Sequence, residues 1–397
     1  MNVHSPTSPF ASACGEEAHT LIAGSGQRVA YSLDELGLLL HQIGATRVLL
    51  VVDSGAADAA RAWGRIERQL AGAVVQRFED FCPNPKLSQA VAAARAAAEL
   101  RAEAVVAVGG GSCLDIAKLA AAGTWAGVAA SARADSLHPA PALIAAPTTS
   151  GSGSEATQFA VAYDAGIKKS YACPQMRPGC VILDPTLVAA MPARLAAVSG
   201  LDALAQAVES LWAVGGTARS YRYAGAAGRL VASALHASVT RGDGASRTRM
   251  MAGAFLAGQA INLGKTTAAH AVSYSLTSRY GIAHGHAVAL TLGWFGDANA
   301  RTGNDDCVDP RGPAYVRRRA ACGAALLGCA PAELPRAVWA LLGELGLPRS
   351  LREAGVPEEA LAAIAGSVNQ ERMANNPRRF DPPTLLGLLG RAWDAEF

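Results

Sequence analysis

The chain is short of charge, short of aromatics and without a paired cysteine motif, and these shortages remove whole classes of function. Aromatic residues make up 6% and charged residues 17% of 397 positions, and 35 Lys and Arg against 32 Asp and Glu leave a net charge of +3. So small and dispersed a balance argues against a nucleic-acid binder. The one basic run, Arg317-Arg318-Arg319, reads as a solvated helix face. Eight cysteines (Cys14, Cys82, Cys113, Cys173, Cys180, Cys307, Cys322 and Cys329) contain no CxxC pair. That speaks against both a disulfide framework and a thiolate zinc cluster, and it fits a reducing cytoplasm. Apolar stretches are cut by Gly, Pro or charge before they reach about 18 residues, so no membrane span is expected. Residues 1–25 lack a basic start followed by an apolar run, so no secretory leader is expected.

What is abundant is apolar residue, 51% of the chain, enough for two domains with a core each. The first half alternates strand-like and helical stretches. Arg47–Val52 reads as a buried strand ending at Asp53, a helix is expected over 56–70, and a second strand over 73–78. A helix over 86–101 leads to a third strand at 104–108, and a fourth is expected at 142–146. This alternation predicts a parallel sheet covered on both faces. Beyond about Pro192 the texture becomes Ala- and Leu-rich with helical periodicity, an all-helical second domain. The boundary gives domains 1–195 and 196–397, with a ligand cleft expected between them.

Two loops follow strands in the first half. Val105–Val108 runs into Gly109-Gly110-Gly111-Ser112, after which a helix starts with Cys113, Leu114 and Asp115. A glycine turn feeding a helix N-terminus exposes backbone N–H groups that suit a pyrophosphate, although a tight turn looks the same. Asp53, at the end of the first strand, is suited to the ribose of NAD and would repel the 2′-phosphate of NADP; it equally suits a helix N-cap. The second loop, Pro147-Thr148-Thr149-Ser150-Gly151-Ser152-Gly153-Ser154-Glu155, offers hydroxyls to the nicotinamide end of a cofactor.

The helical half holds a different signal, three histidines close together in an apolar context: His270, His284 and His286. Buried histidine needs a partner, and a cluster of three points to a metal or proton-transfer site.

Taken in order, GGGSCLDIAK (109–118), PTTSGSGSE (147–155), ILDP (182–185), GLDALAQAVE (200–209) and the histidine stretch resemble the iron-containing (group III metal-dependent) alcohol dehydrogenase family. The resemblance runs from about residue 20 almost to the end. It implies an α/β Rossmann-like N-terminal domain plus an all-α C-terminal domain, the dehydroquinate synthase-like architecture. It also implies hydride exchange between a nicotinamide cofactor and an alcohol or aldehyde. NAD(H) is favoured over NADP(H), and Gly109, Gly110, Gly111, Ser112, Asp115, Thr148, Thr149 and Ser152 join Asp53 in holding it. That family binds its divalent metal through one Asp and three His. Here Asp202, His270 and His284 match, and Gln206 stands in the place of the third histidine. Fe(II) is the expected ion and Zn(II) the alternative. The ion is held by all four residues, by three of them with water, or is dispensable. The proton then comes from water or from a histidine relay with His270 or His286 as carrier, and a structural role is open for His286.

The segments 202–212, 256–278, 281–293 and 368–379 look like the branch of that family that reduces phosphonoacetaldehyde to 2-hydroxyethylphosphonate, in which Gln206 also fits. A phosphonate dianion needs cations and donors. Lys265, Thr266, Ser273 and Arg378 are expected to supply them, with Arg219 and Tyr223 behind them. A helix cap for Lys265 and a surface position for Arg378 are the structural alternatives. Competing readings are a reductase of a neutral aldehyde or polyol, a dehydroquinate synthase-like lyase, and a non-catalytic cofactor binder. The expected partners are a small-molecule substrate and a second copy in a homodimer, with no nucleic acid or membrane.

Overall fold

The computed structural model describes residues 9–123, 140–395 and 397. The chain forms two compact units: the part up to Pro192 with Gly242–Gly258, and Ala193–Arg241 with Gln259–Phe397. The stretch 242–258, assigned to the second domain on its helical texture, thus groups with the first unit.

The first unit contains β1 (Arg28–Ala30), β2 (Arg47–Val52), β3 (Val74–Phe78), β4 (Ala104–Gly109), β5 (Ala142–Pro147), β6 (Phe159–Asp164), β7 (Ile167–Ala172) and β8 (Cys180–Ile182). Six of them make one sheet in the order β1-β8-β5-β4-β2-β3, parallel throughout, and β6 and β7 form an antiparallel hairpin. Because side chains alternate across a strand, a sheet buried on both faces has apolar residues at every position. The two cores divide accordingly. Leu49, Val51, Val105, Ala107, Leu143 and Ala145 fill one face, and Val48, Leu50, Val52, Ala104, Val106, Val108, Ile144 and Ala146 fill the other.

Beyond β2, Asp53 opens α1 (Ser54–Ala59), and α2 (Trp63–Leu70) follows. The single helix expected over 56–70 is therefore two. Arg61 sits at φ 51°, a left-handed conformation that interrupts a right-handed helix. α3 (Leu87–Leu100) and α4 (Gly111–Ala122) cover one sheet face through Ala90, Ala93, Ile116 and Leu119. The chain leaves β2 outward to β3 and returns on the other side to β4. The carboxyl ends of β2 and β4 are therefore a topological switch point, where open α/β sheets take ligands.

The longer helices that follow are α5 (Ala193–Trp212), α6 (Ala218–Thr240), α7 (Gly244–Gly264), α8 (Ala268–Tyr280), α9 (His284–Ala300), α10 (Pro313–Ala325), α11 (Leu334–Glu344) and α12 (Pro382–Asp394). α7 is divided at Gly258 between the two units. α9 packs against α5, α8, α10, α11 and α12, which explains why it is largely apolar and buried nearly throughout. α5 is likewise buried without interruption from Gly200 to Trp212, so the polar side chains it carries there are held out of water. No helix among the described residues is long and apolar enough to cross a membrane.

Candidate active site

At the switch point the two glycine-bearing loops meet. Gly109 has no room for a side chain, since a Cβ there would lie 2.5 Å from Cys113 Cβ and 3.1 Å from Asp53 Cβ. Thr149 and Ser152 lie against the next two glycines: a Cβ on Gly110 would meet Thr149 Cγ2 at 3.3 Å, and one on Gly111 would meet Ser152 Oγ at 3.1 Å. Thr148 N donates to the Gly109 carbonyl at 3.0 Å. No side chain caps α4, so its first N–H groups, at Gly111 and Ser112, are open to an anion.

Asp53 is an N-cap: Oδ1 accepts from Ala56 N at 3.0 Å. Asp115 departs from its expected place against the cofactor. Its two oxygens accept from Ser154 Oγ at 2.7 Å and Val161 N at 2.9 Å, so it ties the second loop to β6. Lys118, one turn further on and buried, completes that tie by donating to Ser154 Oγ, Thr157 Oγ1 and the Phe159 carbonyl at 2.7, 2.9 and 2.7 Å. Burial, opposed by Asp115 and Glu155, pulls the Lys118 ammonium down to about 8. Burial pushes the Glu155 carboxyl up to about 7, against a backbone hydrogen bond and Lys118.

The second unit assembles the other constellation. Asp202, His270 and His284 bring one potential ligand atom each within 4.8 Å of one another. Asp202 rides on α5, His270 on α8, and His284 opens α9. Gly285 sets the spacing. A Cβ there would fall 2.8 Å from Asp202 N and 2.9 Å from Asp202 Cβ, with the Val198 carbonyl closer still. The start of α9 therefore lies backbone to backbone on α5, and His284 is delivered to Asp202. The His270 and His284 rings meet edge-on with centroids 5.4 Å apart. His270 Nε2 lies 3.3 Å from Asp202 Oδ1, while its Nδ1 contacts Glu209 Oε2.

Two imidazoles and a carboxylate are donors suited to Fe(II) or Zn(II). The local charge agrees. Burial would raise the Asp202 and Glu209 carboxyls, but His270 and its neighbours outweigh it and hold both low. Burial also opposes charging His270, yet Glu209 and Asp202 overcome it and lift the imidazole to about 9. Two buried carboxylates make this a pocket that favours a cation, and the residues fit a divalent ion. Gln206, buried one turn beyond Asp202, hydrogen-bonds the Asp202 carboxylate.

Other expected residues have other partners. Lys265 is exposed and pairs with Glu371 at 2.7 Å, in place of the expected phosphonate contact. Arg378 is bound to Asp306 at 2.9 Å and to the Ala298 carbonyl at 2.7 Å, so it clasps the 298–306 stretch. The Thr266 carbonyl accepts from Asn375. Ser273 does reach the histidines, donating to the His270 carbonyl at 2.8 Å with His284 Nδ1 at 3.4 Å; it supports a ligand. His286 stands apart from the trio. Its Nε2 meets the Pro348 carbonyl at 2.7 Å, and burial lowers its basicity, which fits the structural alternative. Arg219 contacts the Tyr223 hydroxyl at 3.2 Å.

The residues that sequence reasoning passed over are Glu209 and Gly285. Glu209 stands seven positions after Asp202, on the same face of α5, and that spacing was the available signal.

These features have counterparts in known proteins. Residues 28–185 match the iron-containing alcohol dehydrogenase family, and residues 196–393 match the C-terminal part of the Fe-containing alcohol dehydrogenase family. The phosphonoacetaldehyde reductase of Streptomyces viridochromogenes is 38% identical over 327 residues, covering 79% of this chain and 82% of that protein. The long-chain-alcohol dehydrogenase 1 of Geobacillus thermodenitrificans is 30% identical over 371 residues, covering 86% and 88%. Among solved structures, the sulfoacetaldehyde reductase of Bifidobacterium kashiwanohense in complex with NAD+ superposes with a TM-score of 0.80 at 27% identity, covering 94% of this chain and 98% of that one. The chain belongs to the iron-containing alcohol dehydrogenase family and is an oxidoreductase of that class.

Proposed function

We propose that this protein reduces phosphonoacetaldehyde to 2-hydroxyethylphosphonate with NADH as hydride donor and a divalent metal, Fe(II) or Zn(II), at Asp202, His270 and His284. The observation that carries the chemistry is that trio, with Asp202 and His270 buried and His270 backed by a carboxylate. The substrate reading rests on the 38% identity to a phosphonoacetaldehyde reductase over most of both chains. It gains weight from a neighbour acting on sulfoacetaldehyde, another two-carbon aldehyde ending in an oxyanion.

In this reading each group of residues has a definite part. The open N–H groups of Gly111 and Ser112 receive the cofactor pyrophosphate, and Thr149 and Ser152 border it. Asp53 uses Oδ1 as a cap and offers Oδ2 to the adenosine ribose, which disfavours a 2′-phosphate there. When bound, the ion supplies Lewis-acid polarisation of the carbonyl oxygen. His270 keeps its Nδ1 proton toward Glu209, and Asp202 is steadied by Gln206. Hydride adds to the aldehyde carbon and the resulting oxygen is protonated from water, so aldehyde, NADH and one proton give alcohol and NAD+.

The test is NADH oxidation by the metal-loaded protein with phosphonoacetaldehyde, propanal and lactaldehyde in parallel. Turnover confined to phosphonoacetaldehyde is expected. Equal turnover of all three would replace the phosphonate reading with a general aldehyde reductase.

A further inference from the structure

We propose that Glu209 is the positioning residue that makes His270 an Nε2 ligand, by holding the ring's proton on Nδ1. The inference rests on the metal reading above and concerns a residue outside the ligand set.

Glu209 is a fully buried carboxylate at 0% exposure, and a buried ionised group must be satisfied by several donors. It is. Oε1 accepts from Thr267 Oγ1 at 2.7 Å and from Ala269 N at 3.0 Å, and Oε2 faces His270 Nδ1. α8 has no cap from its own Thr267 side chain, so Glu209, reaching over from α5, is the anion at that helix N-terminus. Thr267 Oγ1 is itself held by Trp212 Nε1 at 3.0 Å. The carboxylate is thus fixed from two helices before any ligand is considered.

That fixity has a chemical consequence at His270. An ionised carboxylate only accepts hydrogen bonds, so the nitrogen facing Glu209 carries a proton, and the other nitrogen is the one that gives up its proton when an ion binds. The other nitrogen is Nε2, on the side of Asp202. A backing carboxylate fixes both the tautomer and the orientation of a metal-binding imidazole. Glu209→Gln keeps the size and inverts this logic. With Oε1 still accepting from Thr267 and Ala269, its amide nitrogen donates to Nδ1 and forces the proton onto Nε2. With the amide turned over, its NH2 faces the Ala269 N–H. Either way one of the two arrangements is lost.

The experiment measures Zn(II) affinity of the full-length chain by chelator competition in the unaltered protein, E209Q and Thr267→Val, and records ring 15N shifts of the zinc-loaded unaltered protein. Expected are coordination through His270 Nε2 with Nδ1 protonated, and an affinity about 10–100-fold lower in E209Q. Thr267→Val, which removes a donor to the same carboxylate but leaves its contact with the ring, should lower the melting temperature and cost clearly less affinity than E209Q. Unaltered affinity in folded E209Q overturns the proposal, as does an equal affinity loss in Thr267→Val, which would make the effect one of packing. Should E209Q fail to fold, the 15N shifts decide: coordination through Nδ1 overturns the proposal. No zinc binding by the unaltered chain overturns the metal reading and this inference with it, whereas zinc binding insensitive to E209Q overturns this inference alone.

Discussion

Gly285→Ala tests how the metal trio is built, because it adds one methyl group at a place with no space for it. The added Cβ would lie 2.8 Å from Asp202 N and 2.9 Å from Asp202 Cβ, with the Val198 carbonyl nearer still. Non-bonded carbons rest at about 3.5–4.0 Å, so the start of α9 must retreat from α5 by on the order of 1 Å. Every one of these atoms is backbone or next to it, and none can rotate away. Overpacking of this kind costs roughly 1–3 kcal/mol, which for a unit of this size is a fall of about 3–10 °C in melting temperature. His284 moves with the helix. A displacement of about 1 Å is half a metal–nitrogen bond of roughly 2.0–2.1 Å, so zinc affinity should drop by at least about tenfold. Differential scanning calorimetry of the metal-free protein and chelator competition for zinc read the two effects separately. A variant with the original melting temperature and zinc affinity would refute the claim that Gly285 sets the Asp202–His284 spacing.

Three further outcomes follow from the same structure. Burial holds the Glu155 carboxyl at about 7 against an ordinary 4.5, so the folded state binds its proton more tightly than the unfolded chain. Its contribution is fully present below pH 4.5 and lost as pH rises through 7; Glu155→Gln should remove that decline from urea-unfolding free energies across the interval, and an unchanged slope would count against it. Asp53→Asn keeps the cap on α1 but removes the charge, so the kcat/KM ratio of NADPH to NADH should rise by on the order of tenfold, about 1.4 kcal/mol, with stability little changed. Gln206→His puts imidazole in the family's usual position and should tighten zinc binding by on the order of tenfold in chelator competition; weaker binding would show that holding Asp202 is the more important task of Gln206.

Much of this architecture was legible in the sequence because burial on both faces leaves a clear mark. Arg47–Val52 and Ala104–Gly109 have no polar side chain between their first and last positions, and glycines follow where the chain turns at the switch point. β1 and β8 were not foreseen, being three residues each, too short for periodicity to register. Asp202, His270 and His284 were readable as residue types at family spacing, and they converge. The roles of individual polar residues were less readable, since they depend on partners far away in sequence. By residue type Lys265 suits an anion, but Glu371, more than a hundred positions on, lies beside it. His286 looked like a relay because it follows His284 by two, but that offset turns it to another side of α9, toward Pro348. The spacing in GLDALAQAVE puts Glu209 on the face of Asp202, but nothing local says that its carboxylate meets the first turn of α8.

The most direct test of the central claim is phosphonoacetaldehyde-dependent NADH oxidation by the zinc- or iron-loaded chain, compared with its chelated form and with Asp202→Ala and His270→Ala. The account predicts turnover in the loaded protein, loss on chelation with recovery on adding metal back, and neither metal retention nor turnover in the two variants. Turnover that survives chelation, or metal content and activity unchanged in His270→Ala, would contradict it.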